Sequence, residues 1–336
     1  MTASSKVRWG VVSAAQIGLN HVIPAIQRSS NGRVVCIGTP HPERARERAE
    51  KLGVPRVHDS YGAVLDDPEV EAVYIPLPNS MHRDWTLRAA AAGKHVLCEK
   101  PMALTAAECR EMIAACRRRG VLLMEAFMYR FHPQQAAIQQ VLASGRLGAI
   151  KMVRSAFTFR LNLADATNIR LSRELWGGAL MDVGCYCLNA ARAYFGAEPL
   201  SVLASARIPP ELGVDTTLHG LLDFEAGAAP FVVSLEMAGQ PQLEIVGERG
   251  RMEIPSCFTP GEAPPALAVT AEGKREERVL EGANSYQLQV EAFAGSVRAG
   301  RELLLPPEDA VANTRVIEAV RLAVADGRRV MLSSIP

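Results

Sequence analysis

The chain has 336 residues, of which 48% are hydrophobic and 22% are charged, and its formal net charge is +1. This length accommodates two domains, and the small net charge gives no electrostatic basis for binding nucleic acid or an anionic membrane. Seven cysteines at irregular spacings, without a Cys-x-x-Cys pair, indicate reduced thiols and neither a disulfide framework nor a metal site. The sequence shows no secretion signal and no apolar run long enough for a membrane span, so we expect a cytoplasmic protein.

The first 124 residues alternate short apolar runs with helical stretches. This alternation predicts a right-handed, mostly parallel sheet in an N-terminal domain of residues 1–124. The predicted strands cover residues 7–12, 33–38, 70–75, 96–98 and 121–126.

A turn of small residues follows the first strand. In the dinucleotide fingerprint Gly-x-Gly-x-x-Gly, small residues permit a tight turn and close approach of the pyrophosphate. Here Gly18 holds the third place, while Ser13 and Ala15 hold the first two. Backbone amides at a helix start can bind phosphate, although a purely structural strand–helix turn can have the same sequence. The candidate cofactor contacts are Ser13, Ala14, Ala15, Gln16 and Ile17.

The second strand ends without a carboxylate. NAD-specific folds usually place Asp or Glu there to bind the ribose hydroxyls, whereas this sequence has Thr39-Pro40-His41, followed closely by Arg44 and Arg46. The missing acid and the nearby arginines favour a 2′-phosphate, and therefore NADP, with Thr39 as the first candidate contact. Alternatively, the arginines lie on the solvated face of the helix predicted over 42–52.

Polar residues also end the next two predicted strands. Strand 70–75 runs into Pro76-Leu77-Pro78-Asn79, with His82 beyond it, and strand 96–98 runs into Glu99-Lys100-Pro101. In open α/β sheets the ligand crevice lies outside the carboxyl ends of the strands, so Lys100 is a candidate to hydrogen-bond a substrate hydroxyl. The alternative is an exposed ion pair at a strand end.

Residues 125–336 begin with a helix and continue mostly as strands, which predicts a second, α+β domain with one open sheet. The predicted helices cover 134–144, 179–195, 286–299 and 307–326; the predicted strands cover 151–161, 201–208, 217–224, 229–237, 242–247 and 251–254. The stretch 256–274, rich in Pro, Ala and Gly, is expected to be a loop.

Two polar residues share a face of the helix predicted over 179–195. Asp182 and Tyr186 are four residues apart. A tyrosine can exchange a proton with an alcohol or ketone if a nearby cation lowers its pKa from about 10, and an aspartate can orient substrate hydroxyls. The alternative is a polar pair at a buried helix end, satisfied by backbone and water.

Several segments, in this order, resemble the glucose–fructose oxidoreductase / inositol dehydrogenase (Gfo/Idh/MocA) family. Besides the small-residue turn they are Pro78-Asn79-Ser80-Met81-His82, Cys98-Glu99-Lys100-Pro101, the stretch 125–133 (EAFMYRFHP) and the stretch 177–186 (GGALMDVGCY). The resemblance covers nearly the whole chain. Because Tyr186 stands where many inositol dehydrogenases carry histidine, the chain resembles the tyrosine-type branch with dimeric dihydrodiol dehydrogenase, NADP-dependent xylose dehydrogenase and sugar 3-ketoreductases.

This resemblance implies an α/β fold: an N-terminal Rossmann domain, and a C-terminal α+β domain whose large, open, mostly antiparallel sheet forms homodimers or homotetramers. It implies NADP, with NAD possible, and a nicotinamide ring near Lys100, whose bond to Pro101 is often cis in the family. Lys100 would hydrogen-bond the reacting oxygen, Tyr186 would act as acid and base, and Asp182 would help to hold the substrate. The resemblance also implies cofactor contacts at Asn79, His82 and Glu99 and substrate contacts at Tyr129, Arg130, His132 and Trp176, with Tyr286 as a weaker candidate.

We therefore expect an NADP-dependent oxidoreductase that acts on a CH–OH group of a sugar or diol. One alternative is an aldose–aldose or glucose–fructose type enzyme, which keeps its NADP(H) and recycles it between two sugars. Another is a non-catalytic NADP-binding sensor, against which the combination of Lys100, Asp182 and Tyr186 argues. The sequence does not identify the substrate.

Overall fold

The structure, a computed structural model, describes residues 6–239 and 242–336. Two compact units are present. Unit 1 contains the described residues up to 131 together with Asn284–Val311, and unit 2 contains the described part of His132–Ala283 together with Ala312–Pro336. The late segment Asn284–Val311 therefore packs with unit 1. The division of the chain into two domains at residue 124 stays a prediction.

The helices alternate with strands through the first unit and become sparser afterwards. They are α1 (Ile23–Arg28), α2 (Pro42–Lys51), α3 (Tyr61–Asp66), α4 (His82–Ala91), α5 (Ala106–Arg118), α6 (Pro133–Ala143), α7 (Cys185–Phe195), α8 (Ser285–Ala299) and α9 (Glu308–Asp326). No helix within the described ranges is both long and apolar enough to cross a membrane.

Unit 1 is built on a six-stranded parallel sheet in the order β3-β2-β1-β4-β5-β6. Its strands are β1 (Val7–Val12), β2 (Gly32–Gly38), β3 (Arg56–His58), β4 (Ala72–Ile75), β5 (His95–Cys98) and β6 (Leu123–Glu125). The inner strands are continuous apolar runs, as expected where helices cover both faces of a parallel sheet. This is the Rossmann strand order, and the predicted parallel sheet is confirmed.

The strand order reverses between β1 and β4. Ligands of such sheets bind outside the carboxyl ends of the strands at this switch point. The segments that follow β1, β2, β4 and β5 are those that hold the candidate cofactor residues, so the fold places these residues along one edge of the sheet.

Unit 2 contains a nine-stranded sheet in the order β14-β13-β12-β11-β7-β10-β9-β8-β15. Its strands are β7 (Ile150–Thr158), β8 (Ser201–Arg207), β9 (Thr217–Asp223), β10 (Ala228–Ser234), β11 (Gln242–Gly247), β12 (Gly250–Ile254), β13 (Ala266–Ala271), β14 (Lys274–Val279) and β15 (Val330–Met331). Strands β7 and β10 pair in parallel, and every other neighbouring pair is antiparallel. The predicted open, mostly antiparallel sheet is confirmed, and α7 packs against β7.

One local prediction is wrong. The stretch 256–274 is not all loop, because β13 lies within it and pairs with β14. The tight turn between these strands uses Glu272 and Gly273, both with positive φ (52° and 73°), as a two-residue hairpin turn requires. The helix predicted over 179–195 is confirmed; it starts at Ala179 and contains a π-helical turn, Leu180–Gly184, before α7. The helix after β1 starts at Gln16 and contains a π-helical turn, Gly18–Val22.

Candidate active site

The turn after β1 has the geometry of a phosphate-binding turn although two of its glycines are replaced. Ser13 has a φ of 150°, a conformation in which glycine is usually found. Its Oγ accepts a hydrogen bond of 3.0 Å from the backbone N–H of Ala15. The helix that follows starts at Gln16, directly after Ala15. The first N–H groups of a helix have no partner within the helix, so an anion can bind at this start.

The end of β2 offers a hydroxyl and an exposed guanidinium. Thr39 is buried, and its Oγ1 accepts a hydrogen bond of 3.2 Å from the backbone N–H of His41, which leaves the hydroxyl proton available to a ligand. Pro40 and His41 are exposed, and so is Arg44, whose Nε lies 3.8 Å from Glu43 in a solvated ion pair. Such exposed pairs contribute little to stability, so Arg44 can exchange this partner for a phosphate.

His82 is fully buried and lies between two backbone carbonyls. Its Nε2 is 2.8 Å from the oxygen of Leu77, in the segment after β4, and its Nδ1 is 2.9 Å from the oxygen of Pro101, in the segment after β5. Burial lowers the pKa of His82, and the neighbouring Lys100 acts in the same direction. The ring thus holds the two segments in place, with Pro76 and Leu77 buried beside it and Pro78 and Asn79 partly exposed.

Glu99 is tied to protein groups on the same edge of the sheet. Its Oε1 accepts a hydrogen bond of 2.6 Å from the hydroxyl of Tyr74, and its Oε2 lies 3.3 Å from the backbone N–H of Lys100. The Lys100–Pro101 peptide bond is cis, as the family resemblance implies. Tyr286 stacks on His21 with ring centroids 5.2 Å apart, and burial together with Glu99 raises the pKa of Tyr286 above its ordinary value.

Glu125 is a residue of this edge that the sequence reading missed. It is buried at the end of β6, and its Oε1 accepts a hydrogen bond of 2.6 Å from the backbone N–H of Met102. Glu125 thereby holds the chain immediately after the cis bond. A glutamate at the end of an apolar run was the available signal.

Three predicted substrate contacts have different surroundings. Tyr129, in unit 1, is fully buried and packs edge-to-face on Phe127 at 6.0 Å. Arg130 beside it is partly exposed. His132, in unit 2, is buried, and its Nδ1 accepts a hydrogen bond of 3.0 Å from the backbone N–H of Gln134, which caps α6. Tyr129 and His132 thus have packing and capping roles, and their contact with a substrate stays a prediction.

Asp182, in unit 2, is held by a residue from the preceding loop. Arg170 donates a hydrogen bond of 2.7 Å from Nε to Asp182 Oδ2. The Asp182 side chain is 15% exposed and that of Arg170 is 42% exposed, so the pair lies at a surface that a small molecule can reach. The sequence reading missed Arg170 because its loop carries no recognisable motif.

Tyr186 lies in an aromatic wall of the same unit. Its ring is 5.4 Å from that of Phe157, on β7, and 5.7 Å from that of Phe258, while the two phenylalanine rings stack at 5.2 Å. Only 6% of Tyr186 is exposed. An apolar wall of this kind fixes the position of the phenol and limits water around it.

Trp176 ends the loop that leads to this helix. It has a φ of 57°, and the guanidinium of Arg321 lies 4.1 Å above its ring. Trp176, Asp182 and Tyr186 therefore all lie in unit 2, at or just before the start of one helix. Lys100 and the candidate cofactor contacts lie in unit 1.

The chemistry available is that of alcohol and ketone interconversion. Unit 1 presents phosphate-binding elements at a Rossmann switch point, and unit 2 presents a phenol with a carboxylate one turn before it. These residue types suit a nicotinamide enzyme, in which the cofactor takes or gives hydride and the protein supplies position and protons.

Comparisons with known proteins agree with this geometry. A family model described as an oxidoreductase family with an NAD-binding Rossmann fold matches residues 7–127, and the model of the Gfo/Idh/MocA C-terminal domain matches residues 135–253. The chain is 38% identical to D-xylose 1-dehydrogenase (NADP(+)) 2 of Haloferax volcanii, over 96% of this chain and 99% of that protein.

Solved structures agree over the same span. A 3-ketoreductase from Actinomadura kijaniata, in complex with NADP and TDP-benzene, has a TM-score of 0.91 and 31% identity over 95% of this chain and 98% of its own. The aldose–aldose oxidoreductase from Caulobacter crescentus, complexed with glycerol, has a TM-score of 0.89 and 30% identity over 97% and 99%. With both domain models matched and the Rossmann strand order in place, the chain belongs to the Gfo/Idh/MocA family of oxidoreductases.

Proposed function

We propose that this chain is an NADP-dependent oxidoreductase that acts on a CH–OH group of a sugar or diol. The observation that carries the proposal is the arrangement in unit 2, where Tyr186 lies in an aromatic wall and follows the Asp182–Arg170 pair by one turn. The relatives supply the substrate class, since they include a xylose dehydrogenase, a sugar ketoreductase and a dihydrodiol dehydrogenase.

The residues of unit 1 fit NADP. The helix start within residues 13–17 suits the pyrophosphate, and Thr39 and Arg44 suit a 2′-phosphate where an NAD enzyme would carry an acid. When bound, NADP supplies the hydride exchange at its nicotinamide ring. Asn79 and Glu99 complete the cofactor side of the proposal.

Side chains of the protein bind the reacting oxygen and transfer its proton. We assign Lys100 to donate a hydrogen bond to the reacting oxygen. In oxidation Tyr186, as its phenolate, accepts the proton of the substrate hydroxyl as the carbonyl forms, and in reduction the phenol of Tyr186 returns that proton to the oxygen. Asp182 accepts a hydrogen bond from a neighbouring hydroxyl, while Arg170 orients its carboxylate through the 2.7 Å hydrogen bond.

A matched pair of tyrosine variants tests this assignment. Tyr186→Phe should lower kcat by about 10²–10⁴-fold, the range typical for loss of a general acid or base, while the Kd for NADP⁺ stays unchanged. The control is Tyr194→Phe on the same helix, whose hydroxyl donates to Gln135 and serves packing. The assay follows NADPH absorbance with aldoses, a trans-dihydrodiol and a nucleotide-linked keto sugar. Equal rates for Tyr186→Phe and the wild type would reject the role.

The likeness to the aldose–aldose oxidoreductase supports a second candidate function. In that case the protein purifies with nucleotide bound and converts a pair of sugars without free NADP⁺. The ultraviolet spectrum of the purified protein distinguishes the two candidates. Tight binding of NADP⁺ without turnover on any CH–OH compound would instead favour a sensor.

We also propose that the open sheet of unit 2 joins two or four copies of the chain. Leu203 on β8 is 42% exposed and Met331 on the adjacent β15 is 50% exposed, which is unusual for large apolar side chains on a sheet. Leu203→Lys should reduce the mass measured by light scattering to that of a smaller species. An unchanged mass would exclude this face.

A further inference from the structure

The helix that carries Asp182 and Tyr186 starts against a residue with no assigned role. Asp215, in the segment before β9, accepts a hydrogen bond of 2.7 Å at Oδ2 from the backbone N–H of Leu180. Its backbone oxygen accepts another, of 2.8 Å, from the N–H of Ala179. Asp215 therefore takes up two of the N–H groups that a helix start leaves without partners.

Gly177 and Gly178, directly before this helix, allow Asp215 and Arg170 to approach the helix start closely. Gly178 has a φ of 99°, and a Cβ there would lie 2.2 Å from Asp215 Oδ1. A Cβ at Gly177 would lie 2.3 Å from the backbone oxygen of Arg170. That same oxygen accepts a 2.7 Å hydrogen bond from Gly178 N–H, while the Arg170 side chain pairs with Asp182. The helix start is thus clamped between Asp215 and the Arg170 loop.

Keeping Asp215 ionised is unfavourable for folding. Burial raises its pKa to about 6, although the N–H groups of Leu180 and Ala179 and the guanidinium of Arg321 on α9 act in the opposite direction. A carboxylic acid with a raised pKa favours folding less at neutral pH than at acid pH. A group held in an unfavourable state next to reacting residues points to a role other than stability.

We propose that Asp215 is a positioning residue for the reaction, which sets the places of Tyr186 and Asp182 through the peptide N–H groups of Ala179 and Leu180. This inference rests on the proposed function of Tyr186. Asp215 itself touches backbone only, so its effect reaches the substrate through the helix. A displacement of about 1 Å at a reacting group can reduce a rate by about 10²-fold.

The test is a double-mutant cycle with a matched cap control. Asp215→Ala and Asp215→Asn are each made in the wild type and in Tyr186→Phe. The control is Thr105→Ala, which removes the side chain that caps α5 by accepting from the N–H of Glu108 at 3.2 Å. We expect Asp215→Ala to lower kcat about 10–100-fold with an unchanged Kd for NADP⁺, and to have less than a 3-fold effect in Tyr186→Phe. Asp215→Asn, which keeps one acceptor, should fall between.

A second measurement does not depend on turnover. The absorbance titration of Tyr186 is obtained as the difference between each protein and its Tyr186→Phe partner. The pH at the midpoint of this titration should differ from the wild-type value in Asp215→Ala and should equal it in Thr105→Ala. Equal losses of kcat in both backgrounds, or an unmoved midpoint, would overturn the inference. If Asp215→Ala does not fold, the same two measurements, kcat in both backgrounds and the titration midpoint of Tyr186, are made on Asp215→Asn and test the inference. A wild type inactive on every CH–OH compound would instead refute the proposed function, and the titration would still decide the role of Asp215.

Discussion

His132 should make unit 2 sensitive to acid, and a single substitution should remove this sensitivity. The side chain is 1% exposed, and burial lowers its pKa. Its Nδ1 must stay unprotonated, because it accepts the hydrogen bond from Gln134 N–H that caps α6. His132→Asn retains this cap, since Asn is among the best capping residues, and it removes the titrating group.

The expected size follows from proton linkage. A histidine in the unfolded chain takes up a proton below about pH 6.5, whereas native His132 takes up its proton only at a lower pH, because burial lowers its pKa. Stability is therefore complete above that pH and is lost as the pH falls. Between pH 7.5 and 5.5 one such histidine lowers the free energy of unfolding by up to about 1.4 kcal/mol. Any cavity left by the smaller asparagine affects both pH values equally and cancels in the comparison.

The assay is urea unfolding of the wild type and of His132→Asn at both pH values, followed by tryptophan fluorescence. Trp176 reports on unit 2, while Trp9 and Trp85 report on unit 1. The variant should lose about 1 kcal/mol less than the wild type on acidification. Parallel losses in the two proteins would show that native His132 binds its proton normally, and the argument from burial would then be refuted. Substrate KM measured on the same variant tests whether His132 also contacts substrate.

Two further substitutions test the clamp around the helix start. Arg170→Met removes the 2.7 Å pair with Asp182 and should raise the substrate KM about 3–10-fold with a smaller change in kcat, as expected when an orienting contact is weakened; an unchanged KM would separate Asp182 from substrate binding. Gly177→Ala places a Cβ 2.3 Å from a backbone oxygen and should lower both Tm and kcat. Its control is Gly62→Ala, where a Cβ meets nothing within 4 Å and Tm should stay level or rise. Similar behaviour of the two alanine variants would mean that the loop simply moves aside.

The sequence predicts most of what depends on neighbouring residues. The Rossmann strands are continuous apolar runs, and their parallel direction follows from alternation with helices. Asp182 and Tyr186 were found because they belong to one helix, although the π-helical turn at Leu180–Gly184 was not foreseen. The hairpin of β13 and β14 was not predicted, because the Pro, Ala and Gly residues before β13 dominate the composition of residues 256–274.

Long-range partners could not be predicted. Asp215 accepts a hydrogen bond from Leu180, which is 35 residues away in sequence. Arg170 donates one to Asp182 across a loop whose sequence has no periodicity. His82 and Glu99 were placed near the cofactor, but their polar atoms are bonded to Leu77, Pro101 and Tyr74, which only coordinates reveal. Sequence patterns therefore locate the elements of this site, while the contacts that hold them need the fold.

The parallel pairing of β7 and β10 has a consequence for how this protein could change its substrate. Parallel neighbours need a crossover connection, and here the chain between them includes the 159–179 loop, α7 and two further strands. Doubling the length of a flexible loop costs only about 0.6 kcal/mol in closure entropy. Residues 159–161 still pair with residues 234–236, so insertions within residues 162–168 would leave the register of the sheet, Gly177, Gly178 and Tyr186 where they are. The length of this loop can thus change among descendants of this chain without rebuilding the helix that carries Asp182 and Tyr186.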